Sequence, residues 1–251
     1  MSEPTRNESG DGRVVVIVGA SSGIGRAVAL RCAGRGDTLV LAARREELLR
    51  RLADEVAALQ PGGAGKTATV TADVRDSGAA AGIVDAALSH FGRLDVVVYA
   101  AGWNVRNRSI YETTDESWQS IVETNVTGAF SVTRAAVPAM EARGGGLLVY
   151  VSSSGAKRPD QSGVAYQASK AGMAALAHAT MEEARAAGIR TTVIYPGLTD
   201  TPFLEHRPVP PDEETLRRAL QPEDVAAACG FVMDLPARAH VPELLLYPSR
   251  T

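Results

Sequence analysis

The chain of 251 residues is 45% hydrophobic and 22% charged, an ordinary globular composition with room for a sizeable core. A formal net charge of -3 presents no basic face, so neither nucleic acid nor an anionic membrane is expected as a partner. Cys32 and Cys229 sit in Ala/Gly-rich helical patterns and the four histidines share no ligand spacing, which argues against a disulfide and against a metal site.

Residues 1–12 are polar, lack the apolar run of a signal peptide, and read as a disordered tail. From residue 13 to 251 no Pro/Ser-rich linker interrupts the pattern, so a single domain is expected. No run is long enough to cross a membrane, and a cytoplasmic setting is the expectation. Short runs of Val, Leu and Ile predict strands at 14–18, 38–43, 68–72, 95–99, 147–152, 191–195 and 244–247. Helical periodicity between them predicts helices near 24–34, 46–59, 77–91, 115–142, 165–187 and 223–235. Unbroken apolar strands alternating with helices imply the α/β class, a doubly wound parallel sheet of about seven strands with helices on both faces. Residues 198–212 carry Pro202, Pro208, Pro210 and Pro211 without periodicity, a length of loop that predicts a lid.

The first strand runs into Gly19-Ala20-Ser21-Ser22-Gly23-Ile24-Gly25, and a helix follows. In that context Gly19 permits a tight turn, Gly23 admits a diphosphate, and Gly25 lets helix and strand pack closely. Ser21, Ser22 and Ile24 belong to the same cradle, where the helix N-terminus faces the anion. At the end of the second strand, where an NAD site places an acid, the chain has Ala43, Arg44 and Arg45. An arginine fork suits a 2′-phosphate, so NADP(H) is favoured over NAD(H), with Arg44 and Arg45 as cofactor-binding residues. Asp73 and Val74 close the third strand, where an adenine edge would lie.

Further on come Ser152-Ser153-Ser154 and, thirteen residues after Ser153, Tyr166-Gln167-Ala168-Ser169-Lys170. Tyr166 and Lys170 share one helix face, a turn apart. A free phenol with a pKa near ~10 is a poor base at neutral pH, and a neighbouring ammonium favours its ionised form. That spacing alone also occurs on bland helices.

Taken together, Gly19-x-x-x-Gly23-x-Gly25, Asp73, Asn125 in Asn125-Val126-Thr127-Gly128, Ser153 with Tyr166-x-x-x-Lys170, and Pro196-Gly197 resemble the short-chain dehydrogenase/reductase family of the single-domain, Rossmann-type kind. The resemblance runs from about Arg13 to the C-terminus. It implies an oxidoreductase moving a hydride between a nicotinamide and a small carbonyl or alcohol compound. Tyr166 would be the general acid or base, Ser153 would bind the substrate oxygen, and Lys170 would lower the pKa of Tyr166 and hold the nicotinamide ribose. Asn125 would help anchor a water in a proton relay. Ala101 and Gly102 would line the cofactor, as would Pro196, Gly197, Leu198 and Thr199 after the sixth strand.

The chain departs from the family in having Val18 for the usual Thr and Tyr99-Ala100 for Asn-Asn, changes that bear on local order beneath the cofactor. Its last helix opens with Gln221-Pro222-Glu223 and its end lacks a paired-glycine motif, which resembles a branch acting on small hydroxy acids, amino-acid alcohols and specialised-metabolite carbonyl compounds. The substrate pocket is expected at Trp103, Ser154 and Phe203, with Asn104, Arg106, Arg108, Pro159, Asp160 and His206 near it. Arg106 or Arg108 would clamp a carboxylate if turned inward, and would be plain surface charge otherwise. Relatives assemble through the helices at 115–142 and 165–187, implying a homodimer or homotetramer. The alternative reading is a cofactor-binding sensor of the same fold without turnover, although such proteins typically lose the tyrosine or lysine that are present here.

Overall fold

Seven apolar runs form seven parallel strands: β1 (Val14–Val18), β2 (Thr38–Ala43), β3 (Thr67–Thr71), β4 (Val96–Tyr99), β5 (Gly146–Val151), β6 (Ile189–Pro196) and β7 (Glu243–Leu246). They lie in one sheet in the order β3-β2-β1-β4-β5-β6-β7. The computed structural model describes residues 12–60 and 65–250. Apart from Gly12, the tail expected at residues 1–12 therefore lies outside the described residues. The register sets Val16 beside Val40 on one side and Val97 on the other, and Tyr99 beside Tyr150. The chain winds outward to β2 and β3 first, then returns past β1 to β4, so the crevice opens at the carboxyl ends of β1 and β4.

Successive side chains of a strand point to opposite faces, and here both faces are covered. Val14, Val16 and Val18 pack against α3 (Ser77–Phe91), α5 (Gly128–Glu141) and α6 (Val164–Ala184). Val15 and Ile17 pack against α1 (Gly23–Ala33), α2 (Glu46–Leu59) and the late helix Pro222–Asp234. On α2 the i, i+3, i+7 set Leu49, Leu52 and Val56 is buried, each side chain contributing about 1.5–3 kcal/mol. The edge strands read differently: Thr67–Thr71 is half-exposed, as an unpaired outer edge requires.

Helix ends follow their capping residues. Asp76 accepts from the amides of Gly78 and Ala79 at 2.7 and 3.1 Å to start α3, and Gly92 ends it in the left-handed region at φ 68°. Thr114 and Ser117 form a capping box on α4 (Asp115–Val122).

The structure departs from the expected elements in two places. The helix at 115–142 is interrupted by a π-turn, Glu123–Thr127, between α4 and α5. The span at 198–212 is not structureless: it contains a 3₁₀ turn, Pro202–His206, and is followed by a short helix, α7 (Glu213–Arg218), before α8 (Pro222–Asp234). Both ends of this excursion are pinned by a parallel bridge, with Leu220 N–H donating to Leu198 O at 2.9 Å and Asp200 N–H to Leu220 O at 2.8 Å.

Candidate active site

The carboxyl ends of β1, β4, β5 and β6 surround a cleft of ≈ 390 Å³, a size suited to a small-molecule ligand. Its floor at one end is the glycine turn. Gly19 N–H and Ala20 N–H both donate to Ala42 O, which folds the turn back against β2. A Cβ on Gly19 would lie 2.6 Å from the Ala101 nitrogen, and φ there is 86°, so only glycine fits. Ser22 caps α1 from an extended conformation, and its hydroxyl makes no capping bond. The first amides of α1 are therefore left without a side-chain cap, in the arrangement that binds an anion. Arg45 stands over this turn, donating from Nη2 to Ser21 Oγ at 3.0 Å and to Ser22 Oγ at 2.7 Å. Arg44 lies 6.0 Å from the Trp103 ring. A phosphate turn, two cations at the end of β2 and a continuous cleft leading to Tyr166 together fit a dinucleotide.

Asp73 and Val74 line the cleft as the sequence suggests. Asp73 is also engaged by Arg75, Nη2 to Oδ2 at 2.6 Å, and hydrogen bonding from that guanidinium holds its carboxyl below the ordinary range. Ala101, Gly102, Pro196, Gly197, Leu198 and Thr199 line the same cleft. Gly197 N–H donates to Leu246 O at 2.7 Å, and the Thr199 hydroxyl to Gly197 O at 3.0 Å, so β7 and the β6 exit hold this wall.

The other end of the cleft is built by β5 and α6. Ser153 follows β5, and Tyr166 and Lys170 project from α6 into the cleft. The three serines are distinct: Ser152 is buried and its hydroxyl donates to Lys170 O at 2.9 Å, whereas the Ser153 hydroxyl faces Tyr166. Burial pushes the Tyr166 phenol up to about 12, while the Ser153 hydroxyl, Arg108 and Arg207 pull it back down. Lys170 is fully enclosed, donates from Nζ to Val151 O at 2.8 Å, and is lowered by burial to about 7. Its Nζ is 5.8 Å from the centre of the Tyr166 ring.

Asn125 sits in the π-turn, fully buried, and its amide is used by protein groups. Nδ2 donates to Trp103 O at 3.0 Å and to Ser169 Oγ at 2.9 Å, and Oδ1 accepts from Trp103 N–H at 2.7 Å. The side chain thereby ties the segment after β4 to α6. Tyr99, which stands where Asn is usual, donates its hydroxyl to Thr124 O at 2.6 Å within the same π-turn. Val18 packs in the core, 1% exposed.

Beyond Tyr166, Phe203 lies 5.8 Å from the tyrosine ring and His206 lies 4.9 Å from Trp103, ring centre to ring centre. Trp103, Asn104, Arg108, Ser154 and Asp160 also line the cleft. Arg106 and Pro159 do not; both are exposed, and Arg106 donates to Glu205 O at 3.3 Å because its loop turns it outward. Asn104 is a loop brace, donating to Ser162 O at 2.9 Å. Arg207, absent from the expected set, lines the cleft. Nothing in the sequence separates it from the exposed arginines around it.

Residues 13–209 match the family described as short chain dehydrogenase. Among curated relatives, sulfoacetaldehyde reductase 2 of Chromohalobacter salexigens is 31% identical over 243 residues, covering 94% of this chain and 94% of its own. The alcohol dehydrogenase of the archaeon Thermococcus sibiricus, solved with 5-hydroxy-NADP, has a TM-score of 0.85 at 28% identity, covering 96% of this chain and 98% of its own. The 3-ketoacyl-(acyl-carrier-protein) reductase of Brucella melitensis, solved with NADH, matches with a TM-score of 0.85 at 28% identity over 96% of this chain and 98% of its own. A family match over most of the chain, on the same sheet topology, shows that this protein belongs to the short chain dehydrogenases and is an NAD(P)H-dependent oxidoreductase of carbonyl and alcohol substrates.

Proposed function

We propose that the protein uses NADP(H) in preference to NAD(H) to interconvert a small aldehyde or ketone and its alcohol, with Tyr166 as general acid or base. The single observation that carries this reading is the cleft that joins Arg44 and Arg45 at one end to Ser153, Tyr166 and Lys170 at the other. The nicotinamide, when bound, supplies or accepts the hydride. Ser153 and Tyr166 then hydrogen-bond the substrate oxygen, and Tyr166 gives up or takes the proton at that atom. Lys170 would hold the nicotinamide ribose, and Asn125, through Ser169, fixes the α6 face from which Tyr166 and Lys170 project. The relative named for sulfoacetaldehyde supports a small aldehyde as the class of carbonyl compound. The segment 198–212 acts as a lid, since Phe203 and His206 close over Tyr166 and Trp103.

No carboxylate at the end of β2 opposes a 2′-phosphate, and Arg44 and Arg45 are exposed beside the phosphate turn. A charge-assisted bond of this kind contributes about 1.5–3 kcal/mol, or roughly 10- to 100-fold in affinity. Fluorescence titration is expected to give a lower Kd for NADPH than for NADH, and Arg44→Ala with Arg45→Ala should erase that difference. Equal affinities in the unmodified protein would overturn the NADP(H) assignment.

The protein assembles as a homodimer or homotetramer through α4, α5 and α6. Trp118 and Phe130, each 44% exposed, lie on the first two. On α6 the small residues divide: Ala174 and Ala177 enter the core, while Ala171, Ala175 and Ala179 form an exposed row at i, i+4, i+8.

A further inference from the structure

Arg108 lies in the wall beside Tyr166 and is only 8% exposed. Its Nη2 donates to the carbonyl of His206, but its Nε is buried with no partner, the one buried side-chain polar atom so left among the described residues. A guanidinium stays protonated, so this is a buried cation with an unused donor. Arg207 lines the same cleft; burial first, and the charge of Arg207 second, hold Arg108 below its ordinary pKa against the opposite pull of Asp160. Neither arginine takes part in an ion pair among the described residues. The two carboxylates on this side, Asp160 and Glu205, are exposed, and Asp160 accepts from the Ser162 amide at 2.8 Å. Two like charges stand on one wall, one of them buried with an unpartnered Nε, and Asp160 offsets them without forming an ion pair, so a ligand that brings a counter-charge is favoured there.

We propose that the substrate carries a carboxylate or sulfonate besides its carbonyl or hydroxyl, and that the Arg108 guanidinium binds this group while Arg207 adds charge from the lid side. The inference rests on the reading of Ser153 and Tyr166 as the site of the substrate oxygen, since both arginines line the same cleft as that pair. A neutral carbonyl compound leaves Arg108 as it stands. The carbonyl of His206 that Arg108 already holds belongs to the last residue of the 3₁₀ turn Pro202–His206. The same guanidinium therefore joins the anion to the segment that carries Phe203.

The test uses the full chain with NADPH and matched aldehydes: succinic semialdehyde and 3-oxopropanesulfonate, each against butanal. The proposal requires kcat/KM for one of the anions to exceed that for butanal by about 10- to 100-fold, the range of a charge-assisted hydrogen bond. In Arg108→Met that ratio should fall to near one, and in Arg108→Lys to an intermediate value. Which anion is preferred decides between carboxylate and sulfonate. A ratio near one in the unmodified protein overturns the proposal while leaving hydride transfer intact. A second measurement depends neither on turnover nor on the variants: calorimetric titration of the NADP⁺-loaded protein with dicarboxylates from oxalate to adipate and with propanesulfonate, against succinamide as the neutral control. Tighter binding of an anion than of succinamide supports the proposal, even if no aldehyde is reduced and the reading of the reaction falls. Binding of all these probes at one equal strength, or of none, overturns it.

Discussion

Lys170 is the residue where burial and charge oppose each other most directly. In an unfolded chain a lysine titrates near ~10.4, whereas in the fold burial lowers Lys170 to about 7. Between those values the unfolded chain binds the extra proton, so this group makes the cofactor-free protein more stable as pH rises through the interval. Below about 7 both states are protonated, and the full burial cost is present. Replacing Lys170 by Met removes that cost. Thermal unfolding should therefore move in favour of Lys170→Met, relative to the unmodified protein, as pH is lowered from about 10 to about 7. A difference independent of pH would contradict the assignment. The residue scale also shows where the sequence is silent. Arg106 and Arg108 are equivalent in the sequence, two steps apart in one loop, and only the fold turns Arg106 outward and buries Arg108. Ser152 and Ser153 likewise differ by what each hydroxyl meets, not by what each residue is.

At the scale of elements, the π-turn Glu123–Thr127 places Asn125 against Trp103 and Ser169. A π-turn breaks the regular helical bonding pattern, and Tyr99 donates to the Thr124 carbonyl inside it. The Tyr99 hydroxyl thus anchors this turn from a position where the family usually has Asn. Tyr99→Phe would leave a buried acceptor unpaired, at a cost of about 1–3 kcal/mol in chemical denaturation. Unchanged stability would mean that the bond carries no weight. The strands were legible to within a residue or two at their ends, because strands buried on both faces are written as unbroken apolar runs such as Val14–Val18. The π-turn was not, since Glu-Thr-Asn-Val-Thr continues the surrounding helical pattern. Nor was α7, six residues with no buried side chain and hence no apolar face to betray it.

The whole molecule is a sheet whose switch between β1 and β4 brings separate stretches of chain to one edge: the turn at 19–25, Arg44 and Arg45, Asp73, Ser153, and α6 with Tyr166 and Lys170. That they share one edge is legible in the sequence, because the spacing places each after a strand or on one helix face. The residues at the far end of the cleft were less so, since they come from two irregular segments, 103–108 and 202–207, whose mutual packing has no periodic signature. None of the helices among the described residues is long and apolar enough to cross a membrane. The exposed Trp118, Phe130 and the Ala171, Ala175, Ala179 row make assembly a prediction at this scale. Light scattering should give a mass of two or four chains, and Ala175→Arg with Phe130→Glu should reduce it. A monomeric unmodified protein would rule the interface out.

Proton transfer by Tyr166 is the central claim, and Tyr166→Phe tests it most directly because it removes only the hydroxyl. NADPH oxidation over a panel of aldehydes and ketones should fall by about 10²- to 10⁴-fold in kcat/KM, with NADPH still bound by fluorescence titration. Turnover by Tyr166→Phe within about tenfold of the unmodified protein, short of what a lost general acid costs, would contradict the account.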